Sequence, residues 1–156
     1  MRKRRNQLPI LPILIGILIG SFLLISLRIF LFSSSTQAED IVEKFYQYEQ
    51  EGNFSDSWEL FHPYMKDRFT KSSFIQDRAH VFIGHFGADT FSYEISKAVE
   101  FDKWKPEEGQ DNFKDGYKMV VTQKYSGKYG KFNFQQEVYV VKHKGKWVIL
   151  WDYNSK

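Results

Sequence analysis

The sequence predicts an α+β domain that follows an N-terminal transmembrane helix. Residues 8–27 carry no charge. Beyond residue 39, apolar residues first recur at helical spacing, three to four positions apart on one face. From Thr90 onwards they alternate with polar residues, which is the period of a β-strand. Helices followed by strands in separate parts of the chain are typical of the α+β class.

The N-terminal segment predicts a single-pass membrane protein. Fourteen of the twenty residues in 8–27 are Leu, Ile or Phe, and a helix of that length spans roughly 30 Å, the thickness of a bilayer core. Four basic residues precede it, which favours a cytoplasmic N-terminus. We therefore expect a cytoplasmic tail (1–7), an uncleaved anchor in the cell membrane (8–32), a linker (33–38) and an extracytoplasmic domain (39–156).

Two further features of this segment are open to interpretation. A signal peptide cleaved at Ala38 is the alternative to an anchor, but its apolar region is usually about 7–15 residues long, shorter than this one. Arg28 also interrupts the end of the apolar run. Gly16 and Gly20 form a small-xxx-small pattern that could let two helices approach closely, so self-association through them is a hypothesis.

Composition limits the function of the predicted domain. The whole chain has a formal charge of +3, but residues 39–156 carry 17 basic and 19 acidic residues, a net of −2, which gives no support for nucleic-acid binding. There is no cysteine, so disulfides, thiol catalysis and thiolate metal sites are excluded. The domain holds 25 aromatic residues, which predicts a well-filled core, an aromatic-lined cavity, or both.

Three helices and about four antiparallel strands are expected. The first helix runs from Glu39 to Gly52, the second begins at Ser55, and the third is capped by Thr70 or Ser72. The predicted strands are 91–101 with an irregularity near Ala98, 117–125, 132–141 and 147–153, separated by a solvated loop at 105–115 and by tight turns. The last strand is apolar on both faces, so it should be central or covered.

The predicted core is Trp58, Phe61, Phe74, Ile75, Phe82, Tyr93, Val121, Val138, Val140, Trp147, Ile149 and Trp151.

Two runs of residues resemble NTF2-like domains. The run GNFSDSWELFHP at 52–63, followed by RFT at 68–70, is similar to their opening, and GKW at 145–147 with WD at 151–152 is similar to their last strand. The nearest form is the NTF2-like N-terminal domain of low-affinity penicillin-binding proteins, which also follows a membrane anchor. The resemblance implies a cone made by a curved sheet and helices. It implies no catalytic residue, because no transpeptidase domain follows in this sequence.

Few residues suggest chemistry. Asp77, Arg78 and His80 form a polar cluster on the third predicted helix, and Tyr93 lies on the first strand; these four are weak candidates for ligand binding. An isomerase of this fold would need a buried carboxylate of raised pKa, for which Asp77 is the candidate. We favour a structural role for Asp77 and Arg78, as partners of a loop or a helix end. The four histidines show no metal-binding spacing, and neither a metal nor a cofactor is expected.

These observations favour a non-catalytic binding or spacer module of the bacterial cell envelope, with a protein partner there. The alternatives are a domain that binds a small apolar ligand, an assembly factor of type IV secretion or conjugation machines, and, least favoured, an isomerase-like enzyme. Fold alone does not choose among them.

Overall fold

The computed structural model describes residues 10–81 and 90–154. The chain divides into two compact units, 1–34 and 35–156. The predicted tail at 1–7 and the predicted core residue Phe82 lie outside the described residues.

Helix α1 extends from Ile10 to Gln50. In the first unit its large apolar side chains are mostly exposed, Leu18 and Phe22 by about 70%. A Cβ added at Gly16 or Gly20 would meet nothing within 4 Å; self-association through these glycines stays a prediction.

The structure contradicts the predicted transmembrane anchor at 8–32. Across the described residues, no helix combines the length and apolar character that a membrane crossing requires. The apolar stretch is not an element of its own, because α1 continues through the polar residues 33–38, which we predicted to be a linker, and through Glu39 and Asp40. The predictions of a signal-anchor and of single-pass localisation in the cell membrane, which depended on the anchor, are also wrong.

The second unit is an α+β domain with a five-stranded antiparallel sheet, one strand more than predicted. After the C-terminal part of α1 come three short helices and five strands: α2 (Phe54–Glu59), α3 (Pro63–Arg68), α4 (Lys71–Ala79), β1 (Phe91–Ile95), β2 (Val99–Phe101), β3 (Gly116–Gly127), β4 (Gly130–His143) and β5 (Lys146–Trp151). Thr70 caps α4 as predicted, accepting a hydrogen bond from the Ser73 amide. α3 was not among the predicted helices. It begins at Pro63 because proline suits the first turn of a helix.

The sheet has the order β1-β3-β4-β5, and β2 also pairs with β3. The predicted strand 91–101 is thus two strands, interrupted at Ala98 and its neighbours. β4 and β5 meet in a two-residue turn at Lys144 and Gly145, which both have positive φ (50° and 79°). Turns of this kind match the twist of the strands that they join.

β5 is an edge strand, and the segment before α3 covers part of its edge. The Ile149 amide donates to the Leu60 carbonyl, and the His62 amide donates to the Ile149 carbonyl, both at 2.9 Å. The two faces of β5 are covered as well, since Leu150 on one face and Ile149 and Trp151 on the other are buried. The prediction that the last strand is central or covered is confirmed in its second form.

The core lies between α1 and the sheet. Of the predicted core residues, seven are buried: Phe61, Phe74, Val121, Val138, Val140, Ile149 and Trp151. Trp58, Ile75, Tyr93 and Trp147 are only partly buried. The α1 residues Ala38, Val42, Phe45 and Tyr46 are buried but absent from the prediction.

The predicted solvated loop at 105–115 is exposed over most of its length, at 108–112 and 114–115, but its ends are packed. The Trp104 ring, just before it, stacks on Tyr139 with centroids 3.7 Å apart. Trp104 and Phe113 exchange two backbone hydrogen bonds, and the Pro106 carbonyl accepts from the Tyr153 amide at 2.7 Å. The aromatic residues that flank the loop therefore fix both its ends against the sheet.

Candidate functional site

The interior of the second unit holds an ion pair between Glu49 of α1 and Arg78 of α4. The Glu49 side chain is fully buried and that of Arg78 is 15% exposed. Arg78 Nε donates to Glu49 Oε2 at 2.5 Å, and the Ser57 hydroxyl donates to Glu49 Oε1 at 2.5 Å. Both carboxylate oxygens thus have a donor, which a buried charge requires.

Two tyrosines and a glutamine lie near this pair. Tyr46 and Tyr125 are buried, and burial is the main cause that raises the pKa of each hydroxyl above its usual range. The Tyr125 hydroxyl donates to Gln123 Oε1, and the Tyr46 hydroxyl donates to Gln136 Oε1 at 3.1 Å. Gln123 Nε2 is buried and has no hydrogen-bond partner among the described residues, although the amide lies close enough to the Tyr46 hydroxyl to lower its pKa slightly.

The Glu49 carboxylate of this interior cluster is fully engaged by the protein itself. Arg78 and Ser57 hold the Glu49 carboxylate, and Phe74 and Tyr125 are packed into the core around it. A general base needs a lone pair aimed at the proton of a bound substrate. Both Glu49 oxygens are instead directed at side chains of the protein itself.

The four predicted candidates are separated by the structure. Arg78 joins the interior pair, whereas Asp77 and His80 are exposed. The Tyr93 hydroxyl donates to Glu43 Oε1 of α1 at 2.8 Å. The four therefore do not form one site. Arg78 pairs with Glu49 in the last turn of α1, which agrees with the structural role at a helix end that we favoured for it.

Sequence reasoning missed Glu49, although a signal was present. Val42, Phe45 and Tyr46 form the buried stripe of α1, and Glu49 falls on the same stripe one turn later. A carboxylate at a core position of an amphipathic helix needs a cation, so this position predicts a buried partner.

Two histidines pack against each other where α3 begins. The rings of His62 and His143 are edge to face with centroids 4.8 Å apart. His62 Nδ1 accepts a hydrogen bond from the Tyr64 amide at 3.1 Å and so caps α3. Burial, with a contribution from His143, lowers the pKa of His62 to about 4. Across the described ranges no group of three or more His, Asp or Glu side chains is placed to hold a metal ion.

An open groove of about 540 Å³ lies beside Trp147, between α1, the end of α2 and the β4–β5 turn; we call it the Trp147 groove. Its volume is in the range of small-molecule sites. Its apolar residues are Ile41, Leu60, Trp147 and Val148, and its charged residues are Asp40, Lys44, Glu59 and Lys146.

Trp147 is held in place at this groove from three sides. Its indole Nε1 donates to Gln37 Oε1 of α1 at 3.0 Å. Its ring contacts Tyr117, with centroids 5.6 Å apart, and the Lys142 ammonium lies 4.8 Å from the ring centroid. A large apolar side chain in a fixed orientation at a groove is well suited to binding.

A second, smaller groove of about 280 Å³ lies between α1 and the end of β1. It is lined largely by charged side chains, among them Glu39, Glu43 and Lys97. The Glu39 carboxylate already accepts a hydrogen bond from the Ala98 amide, and Glu43 accepts from Tyr93. Its polar groups thus serve to join α1 to the sheet.

No protein-family model matches the sequence, and comparison with curated proteins gives no significant match. The resemblance to NTF2-like domains therefore stays a prediction.

Proposed function

We propose that the second unit is a non-catalytic binding module and that the Trp147 groove is its binding surface. The observation that carries the proposal is a partly exposed tryptophan, fixed by Gln37, at the wall of a groove with apolar side chains. Tryptophan is among the residues that most often dominate binding energy.

The interior cluster supports a non-catalytic role. Its single carboxylate, Glu49, is held by Arg78 and Ser57, and neither of the two grooves described above is lined by it. An enzyme of this type would use an ionisable group that faces its substrate. The polar residues at the Trp147 groove are instead ordinary surface charges of both signs.

The experiment is a titration of the full chain, labelled with ¹⁵N, with a set of small apolar fragments that includes indole and benzamide. The four tryptophan indole N–H signals are observed. We expect the Trp147 signal to shift first, because the Trp104 and Trp151 indole nitrogens are buried. Trp147→Ala should abolish the binding.

Tyr129→Ala is the matched control, since it removes an exposed aromatic side chain from the other hairpin turn and should leave fragment binding unchanged. Absence of any shift at Trp147 at millimolar fragment concentration would overturn the proposed binding surface. Shifts confined to signals of Glu49, Arg78 and Gln123 would instead move the site to the interior cluster.

A further inference from the structure

We propose that the Trp147 groove binds an extended, apolar peptide segment of a partner protein, which hydrogen-bonds to the backbone of β5 at Trp147. This inference rests on the proposed function, because it names the occupant of the same groove. It is carried by the backbone of β5 rather than by the groove alone.

The backbone of Trp147 faces the outer edge of the sheet. Ile149 uses both its N–H and its C=O on the side away from β4, toward Leu60 and His62. Backbone groups in an antiparallel ladder alternate in direction. Trp147 lies two residues before Ile149 and pairs with Lys142 just as Ile149 pairs with Val140, so its N–H and C=O have the same outward direction.

This part of the edge is open because the covering segment ends. Leu60 follows α2 directly, and its own amide donates back to the Ser57 carbonyl. The chain before Leu60 therefore turns into a helix and leaves β5 at Trp147. Within the described residues, no backbone hydrogen bond from outside the sheet reaches Trp147.

An edge with unpaired N–H and C=O groups is a template for another strand. Strand addition is a common mode of peptide recognition, in which the backbone supplies affinity and side-chain pockets supply specificity. A small apolar molecule would fill the groove but leave these backbone groups to solvent. An extended peptide satisfies both, so it is the occupant that the geometry favours.

The groove also limits the chemistry of the peptide. Alternate side chains of an extended strand point to opposite faces, so one or two apolar side chains would enter the groove against Ile41 and Trp147. The charges around it are two acidic and two basic residues: Asp40, Glu59, Lys44 and Lys146. Glu59 is paired with Lys66 and Lys71 outside the groove. We therefore expect a segment of low net charge, of about three residues in direct contact.

The first test needs no ligand. Amide hydrogen exchange is measured by NMR on the full chain, comparing Trp147 with Ile149, whose amide donates to Leu60. We expect the Trp147 amide to exchange at least 100-fold faster than the Ile149 amide. Equal protection of the two amides would show that the edge is closed and would overturn the proposal.

The second test uses a phage-displayed library of random ten-residue peptides, selected on the full chain. A selected peptide is synthesised with one backbone amide methylated at a time. We expect binding to be lost with Trp147→Ala and retained with Tyr129→Ala. Methylation of the one peptide amide that donates to the Trp147 carbonyl should weaken binding at least tenfold, and the peptide should protect the Trp147 amide from exchange.

Failure of this inference differs from failure of the proposed function. If fragments shift Trp147 but no selected peptide requires it, or if methylation at every position leaves affinity unchanged, the groove binds ligands and strand addition is wrong. If neither fragments nor peptides depend on Trp147, the proposed function itself fails.

Discussion

Arg78 Nε lies 2.5 Å from Glu49 Oε2, inside a domain where the Glu49 side chain is fully buried. This pair joins α4 to α1, and Ser57 of α2 adds a third element through the same carboxylate. Three helices are thus connected by one buried charge. Its removal should therefore affect the packing of all three.

Glu49→Ala should destabilise the second unit strongly. It leaves the Arg78 guanidinium largely buried without its carboxylate, and removing one partner of a buried pair typically costs about 3–5 kcal/mol. The free energy of unfolding is measured by urea titration. Glu94→Ala is the control, because the Glu94–Lys124 pair is exposed and such pairs contribute about 0–1 kcal/mol.

The combined variant Glu49→Ala/Arg78→Ala should lose less stability than the sum of the two single variants, since it leaves no unpaired charge. Equal losses for Glu49→Ala and Glu94→Ala would show that the interior pair is not important for stability.

Trp151→Ala should lower the stability of the protein clearly more than Trp147→Ala. Trp151 is 8% exposed and its ring contacts Phe45 and Phe61, so its truncation should cost about 3–5 kcal/mol. Trp147 is partly buried at the groove, and we expect its truncation to cost about 1–2 kcal/mol, a typical value for a single substitution. Thermal unfolding of the two variants is the measurement. Similar shifts of Tm would place Trp147 in the core and weaken its assignment as a binding residue.

Stability should fall as the pH falls from about 6.5 toward 4, in part through His62. Its pKa is lowered from 6.5 to about 4 in the folded protein, so in this window the unfolded state binds more protons than the folded state. The folded protein excludes the proton because burial and His143 disfavour a charged ring, against a weaker opposing effect of Asp67.

His62→Asn tests this origin, because asparagine also caps helices well but does not titrate. Tm is measured between pH 7 and pH 4.5, and the variant should depend less on pH than the wild type. His80→Asn, at an exposed histidine, should follow the wild type. A pH dependence of His62→Asn equal to that of the wild type would assign the effect to other groups.

Gly116→Ala should destabilise the sheet, although Gly116 has no unusual φ. A Cβ there would lie 2.4 Å from the Val140 carbonyl oxygen and 2.7 Å from the Phe101 ring. Overpacking of this kind typically costs about 1–3 kcal/mol. Ser92→Ala, at an exposed strand position, is the control for urea unfolding. A stable Gly116→Ala variant would show that Val140 and the Phe101 ring can move away from a Cβ at this position.

The strands could be predicted from the sequence, since an alternation of period two depends only on local order. The tight turn near Gly145 could also be predicted from local sequence, because glycine between two strands is a signal of a hairpin turn. Two features could not be predicted, because they depend on contacts between distant residues. Glu49 meets Arg78 across 29 positions of the chain, and the cover on β5 comes from residues almost 90 positions earlier.

At the candidate site, too, local features could be predicted from the sequence and contacts between distant residues could not. A structural role for Arg78 at a loop or helix end could be predicted from its polar cluster, but its particular partner, Glu49, could not. Trp147 was predicted to be a core residue because it falls on the same strand face as Ile149 and Trp151. Burial within β5 decreases toward the β4–β5 turn, however, and Trp147 lies one residue from that end of the strand.

The continuous course of α1 has a consequence for proteolysis. Ala38 is fully buried on this helix, and proteases cut preferentially at exposed, irregular segments. Cleavage after Ala38 would therefore require local opening of α1, so its rate would depend on how often that turn opens. A cut there would also separate Gln37, the hydrogen-bond partner of the Trp147 indole, from the rest of the domain. Processing at this position would thus alter the same groove that we assign to binding.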